Sequence, residues 1–282
     1  MNRGNAVIDT ATFVENSGSF GGGLAIYDGV LELKFGHFEG NTAYQGGAIG
    51  NLSVALLDEV IIQANNANDG GAIFNKTFEN LPEASLTIQN ATIVSNTATS
   101  MGGGVANYDG IVEILNSTLA YNFAENGGGI FNEGGSVTLQ DSSIQESSAT
   151  LHGGGIYNTG ILDILSSDVS GNDASHGGGI YNASSSILIS TSTTIEDNYA
   201  LAGGGVFNYG DASVIDCLII YNDADLGGGF YNESGSLQIN QTSIYMNISE
   251  NGGGIYNASG LLDEPISNLS KSQDISQPAI LI

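Results

Sequence analysis

Tryptophan is absent from the 282 residues, cysteine occurs once and proline three times. Basic residues are nearly missing too: 4 Lys and Arg stand against 30 Asp and Glu, a formal net charge of −26. Each scarcity excludes a class. A lone Cys217 rules out an internal disulfide framework and a cysteine zinc site. The negative charge, with no basic stripe to offset it, repels phosphate backbones and anionic membrane surfaces, so nucleic acid is not an expected partner. No run approaches the roughly 18 apolar residues of a membrane helix. Met1-Asn2-Arg3-Gly4-Asn5 lacks the apolar core of a signal peptide. What the chain has in excess is glycine, 42 residues, about twice the usual share of about 7%. Hydrophobic content of 41% is enough to bury a core.

The glycines are periodic. A Gly-Gly-small-apolar motif begins at Gly21, Gly46, Gly70, Gly102, Gly127, Gly153, Gly177, Gly203, Gly227 and Gly252, at intervals of 24 to 26 residues apart from one of 32. The best copies read Gly-Gly-Gly-Ile-Tyr-Asn, at Gly153–Asn158, Gly177–Asn182 and Gly252–Asn257. A second landmark, an Asn, precedes the glycines in every unit but one, where Ser147 replaces it. A large apolar residue stands three positions before that Asn and a small one two positions after, as in Val169, Asn172 and Ala174. Segments such as Val112-Glu113-Ile114 and Leu162-Asp163-Ile164 alternate apolar and polar residues, the pattern of a strand with one buried face. About three short strands per unit are expected, for example Gly155–Asn158, Ile161–Leu165 and Asp168–Ser170.

A period of about 25 residues with three short strands is one coil of a solenoid. The fold expected is all-β: one right-handed parallel β-helix of about eleven coils, with apolar columns in the lumen and Asn columns forming amide ladders at bends. The domain runs over residues 1–264, with an irregular last coil and tail over 265–282. Asn2 aligns with the Asn that ends Gly-Gly-Gly-Ile-Tyr-Asn, so the chain opens in mid-coil and is expected to be truncated at its N-terminal end. The 32-residue interval holds seven added residues around Lys76–Ala84, expected to protrude from a bend.

The Gly-Gly-Gly-Ile-Tyr-Asn and Asn-x-Ala elements resemble right-handed parallel β-helix repeat proteins of the bacterial surface. The Gly-Gly-Ala-Ile copies (Gly46–Ile49, Gly70–Ile73) and Phe-x-x-Asn copies (Phe13–Asn16, Phe38–Asn41) resemble the chlamydial polymorphic outer membrane protein repeat. The resemblance covers about residues 2–264. Most copies depart from it by carrying Ile, Val or Leu in place of the Phe, and the last residues show no barrel strands. It implies an autotransporter-passenger-like or adhesin-like segment, extracellular or at the cell surface, whose partners are glycans or proteins of a host or neighbouring cell, without membrane insertion of this segment.

Candidate chemistry is sparse, and the reading is non-enzymatic. The alternative is a carbohydrate-active β-helix enzyme, a polysaccharide lyase or glycoside hydrolase. A lyase needs a cation beside the substrate carboxylate, but Arg3, Lys34, Lys76 and Lys271 are scattered. A hydrolase needs two carboxylates about 5–10 Å apart, and Asp173 and Asp223 share a column two coils apart. His152 and His176 precede the triple glycine in adjacent coils and are either a metal pair with Asp173 nearby or simply exposed bend residues, and no metal is expected. No cofactor is expected, and the Gly-Gly-x-Gly-x-Asp calcium pattern is absent. The residue after the motif Ile is aromatic in six consecutive coils: Phe131, Tyr157, Tyr181, Phe207, Tyr231 and Tyr256. If the Ile points inward, this column points outward and is the candidate ligand-binding stripe. The competing readings are that the rings stack on one another or face the lumen. Earlier coils hold Ala25, Gly50 and Ala106 there, so aromatics look optional in the column.

Overall fold

A computed structural model describes residues 4–79, 82–263 and 275–276. What the sequence predicts for Met1–Arg3 and for most of the tail, including Lys271, lies outside these residues. Among the described residues there are only strands, bends and turns, wound into a right-handed parallel β-solenoid of about ten turns. Among the described residues no helix is long and apolar enough to cross a membrane. At the usual strand spacing, ten turns make a rod on the order of 50 Å long.

One coil shows how the sequence sets the path. Ile156–Asn158 forms the first strand, Ile161–Leu165 the second and Asp168–Ser170 the third. Strands of the first kind stack into an 11-stranded parallel sheet, and those of the second and third kinds share a 19-stranded one. The expected three strands are present. A fourth, unexpected one closes the coil just before the glycines, as at Ser148–His152. It builds a four-stranded and a three-stranded sheet, joined through isolated bridges at Asp173 and His176.

Alternation decides what fills the lumen. Ile156, Leu162, Ile164 and Val169 are all fully buried and stack on their equivalents one coil away. Phe38 stacks flat on Phe13 with ring centroids 4.6 Å apart. Cys217 is buried in the hydroxyl column of Ser142, Ser167 and Thr242, its thiol donating to the carbonyl of Ile215 at 3.2 Å. Of the added residues after Lys76, those described on either side of 80–81 lie at the surface. Phe78 is exposed, and the Ala84 N–H clips the base of the loop to Thr77 Oγ1 at 3.0 Å.

Two asparagine ladders run the length of the rod. In one, each Nδ2 donates to the Oδ1 of the next coil, from Asn51 to Asn257, at 2.7–2.9 Å. In the other, from Asn16 to Asn247, both the backbone N–H and Nδ2 donate to the next Oδ1, as from Asn172 to Asn198 at 3.0 Å. Such bonds satisfy buried backbone groups where the chain bends away from the sheet. Ser147 interrupts the second ladder. Its Oγ accepts the Asn122 N–H at 3.3 Å, but Asn122 Nδ2 then donates only to the Ile93 carbonyl. Restoring the amide, Ser147→Asn, is expected to raise stability by about 0.5–2 kcal/mol, as repeat-consensus changes commonly do. A higher melting temperature checks this, and a lower one would show that the buried site cannot hold the larger side chain.

Candidate functional site

The outer face of the 11-stranded sheet carries the aromatic column. Ile156 and Ile180 point into the lumen and are fully buried, so Tyr157 and Tyr181 between them and the Asn ladder point outward. In-register pairing places the six rings directly above one another. They stack nearly parallel: Phe131–Tyr157 at 5.1 Å, Tyr157–Tyr181 at 5.3 Å, Tyr181–Phe207 at 5.1 Å, Phe207–Tyr231 at 4.7 Å and Tyr231–Tyr256 at 5.2 Å. Ring faces are therefore turned on neighbouring rings, and edges and hydroxyls face outward. Phe131 and Phe207 are buried; the four tyrosines are partly exposed.

The apparent gaps in the column are filled from the sides. Phe20 lies over Gly50, where an added Cβ would come within 2.6 Å of its ring, and meets Phe74 edge-on at 6.1 Å. Tyr108 stands beside Ala106 and bridges Phe74 at 5.3 Å and Phe131 at 5.5 Å. The ladder is thus continuous from Phe20 to Tyr256, and the reading of aromatics as optional is corrected. Column alignment missed Phe20, Tyr108 and Tyr209 because each belongs to a neighbouring column. Tyr209 packs on Phe207 at 5.3 Å.

The two histidines belong to this same face. His152 and His176 are paired one coil apart, with ring centroids at 5.5 Å. His152 packs against Tyr181 at 4.6 Å, and His176 is edge-on to Phe207 at 5.5 Å. His152 Nδ1 is 2.8 Å from Asn126 Oδ1, which fits a proton on Nδ1; His176 Nδ1 is buried without a partner among the described residues. No group of three or more His, Cys, Asp or Glu is placed to hold a metal among the described residues. The imidazoles are brought together, but as part of a ring cluster and without a third ligand. Asp173 and Asp223 are two coils apart, with Tyr199 between them.

Burial sets the ionisation of the face. It holds the Tyr108, Tyr157 and Tyr231 hydroxyls above the ordinary phenol range and pushes Tyr181 up to about 12, with nearby acids and tyrosines adding to it. These four stay neutral hydroxyls at pH 7. Burial, then the neighbouring His176, lowers the His152 pKa, against an upward pull from Glu125. Because the folded value lies below the unfolded one, near about 6.5, the unfolded chain takes up more protons on acidification. The stability that neutral His152 contributes is present above about pH 6.5 and is lost as pH falls below it. Asp69, Asp168, Asp173 and Glu196 oppose this: burial raises their pKa, so they favour the fold as pH falls. The stability difference between wild type and His152→Gln isolates the imidazole. It is expected to shift against wild type from pH 7 to 5 in denaturant titrations, and a pH-independent difference would show that the ring is not buried as neutral.

Comparison with protein families, curated proteins and solved structures finds no match for this chain.

Proposed function

We propose that this solenoid is a non-enzymatic, surface-displayed or secreted segment of the polymorphic-outer-membrane-protein or autotransporter-passenger type, a stalk that contacts glycans or proteins of a neighbouring cell. The observation that carries the reading is the aromatic ladder, a continuous stack of rings on one outer face from which four partly exposed tyrosines meet the solvent. Amphipathic rings held rigid by stacking present contact area at little entropic cost. A net charge of −26 turns acidic partners away. The reading is tested with purified chain on glycan arrays and on cultured cells, comparing wild type with a Tyr181→Ala, Tyr231→Ala double variant. Binding that the variant loses while keeping its melting temperature supports it. A lowered melting temperature with no binding to lose assigns the ladder to stability alone. Turnover of a polysaccharide, abolished by replacing one carboxylate, would install the carbohydrate-active enzyme instead.

A further inference from the structure

A second outer feature lies away from the ladder, at the bend between the second and third strands of the coils. Here a trough of about 600 Å³ crosses four consecutive coils. Asn116 and Thr118 form its first rung, and Asp141 and Ser143 the next. Ser166 with Asp168 and Ser192 with Thr194 follow. A second depression, also of about 600 Å³, continues the file through Asn90 and Thr92. The concavity has a backbone origin. Asn116, Asp141, Ser166 and Ser192 all adopt left-handed φ values of 47° to 52°, which fold the chain sharply between the strands. The next residue turns inward and is small, as Ser142 and Ser167 are, so the bend is tight.

Five successive coils therefore floor the trough with short polar side chains. Bulkier residues bound it: Ile61 pairs with Thr92 at one end, and Leu218 with Thr194 at the other. We propose that this trough binds an extended, uncharged polysaccharide lying along the rod axis, with successive sugars meeting successive rungs. The strand spacing of about 4.8 Å is close to the length of one sugar unit in an extended chain, so one set of hydroxyl and amide contacts repeats in step with the ligand. Among the described residues no Lys or Arg lines either depression; Glu59 lines the second, and the nearby Lys34 is taken up by Asp58 at 3.3 Å and Glu59 at 3.7 Å. The lining instead holds Asp141, Asp168 and Glu59, so an anionic glycan meets carboxylates and no unpaired cation among the described residues. The Asp168 carboxyl is held from one side, with Oδ2 accepting from Ser170 Oγ at 2.8 Å and Gln145 also hydrogen-bonding to it, while Oδ1 is shielded and without a partner among the described residues. The site is independent of the aromatic ladder.

The test titrates the full chain with β-1,4-linked hexasaccharides of glucose, xylose, mannose and N-acetylglucosamine, with oligogalacturonate as the charged control, by calorimetry. At least one neutral probe is expected to bind. Ser143→Leu and Thr194→Leu fill the trough with the residue that Leu218 already carries in the same file, so the fold has a precedent for both. Each should leave the melting temperature unchanged and weaken binding by about tenfold or more, about 1.4 kcal/mol. Glu250→Gln, at an exposed residue outside both the trough and the ladder, should leave this binding intact. Should Ser143→Leu unfold, Thr194→Leu decides alone. Absence of binding to every neutral probe, preference for oligogalacturonate, or binding that survives both leucines overturns the proposal. Binding lost in Tyr181→Ala but kept in the leucine variants moves the glycan to the ladder.

Discussion

Gly178→Ala is expected to destabilise the rod by more than about 3 kcal/mol, because one methyl group has nowhere to go. A Cβ at Gly178 would lie 2.3 Å from the Tyr199 carbonyl oxygen and 2.7 Å from that of Gly204, both backbone atoms of the next coil. Flexible side chains could move aside; two carbonyls held in a hydrogen-bonded stack cannot. The overlap is relieved only by parting the coils, which strains the bonds from Gly178 N–H to Gly203 O at 3.1 Å and from Gly179 N–H to Gly204 O at 3.0 Å. The neighbouring position is the control. Earlier coils carry Ala48 and Ala72 where this one has Gly179, and there an added Cβ meets Gly205 O at 2.6 Å and Asn198 Nδ2 at 3.1 Å. Gly179→Ala should cost less, about 1–3 kcal/mol. Denaturant midpoints of the two variants check the order, and equal losses would show that the second glycine has no special place in the coil.

Asn198→Ala is the other change expected to be severe, at about 3–5 kcal/mol, since several buried groups lose partners together. Asn198 is fully buried. Its Oδ1 accepts the N–H and Nδ2 of Asn172, both at 3.0 Å. Its Nδ2 donates to the Val169 carbonyl and to Asn222 Oδ1, each at 2.9 Å. Alanine strands the Asn172 N–H and leaves the Val169 carbonyl short of a donor. Serine should be gentler, because the coil with Ser147 already shows a hydroxyl accepting that N–H. The expected order of melting temperatures is wild type, Asn198→Ser, Asn198→Ala. Coincidence of the two variants would mean that the side-chain relay, rather than the backbone contact, carries the stabilisation.

Much of this was legible in the residues. The glycine period marks the coils, and the alternation at Leu162-Asp163-Ile164 marks the lumen face. The Asn columns mark the two ladders, including the break at Ser147. The fourth strand was not legible. Its alternation is blurred by a register shift between Ala124 and Asn126, and in the coil of Asp173 and His176 it shrinks to isolated bridges. The aromatic face was legible only in part. The six rings appear as a column, but His152 against Tyr181, Phe20 over Gly50 and Tyr108 beside Ala106 each cross from one column to another.

In a solenoid the residue one period away in sequence is also the residue one rung away in space. Sequence periodicity is then a direct record of contacts along the axis, and the residues by themselves determined the parallel coil, its lumen and its ladders. Contacts around the axis leave no such record. They depend on how sharply each bend turns and on how far a ring or carboxylate reaches from its own column. Tertiary structure alone therefore decided that the histidines pack into the ring ladder, that its gaps are filled from the side, and that the left-handed bends at Asn116, Asp141, Ser166 and Ser192 hollow out a polar trough.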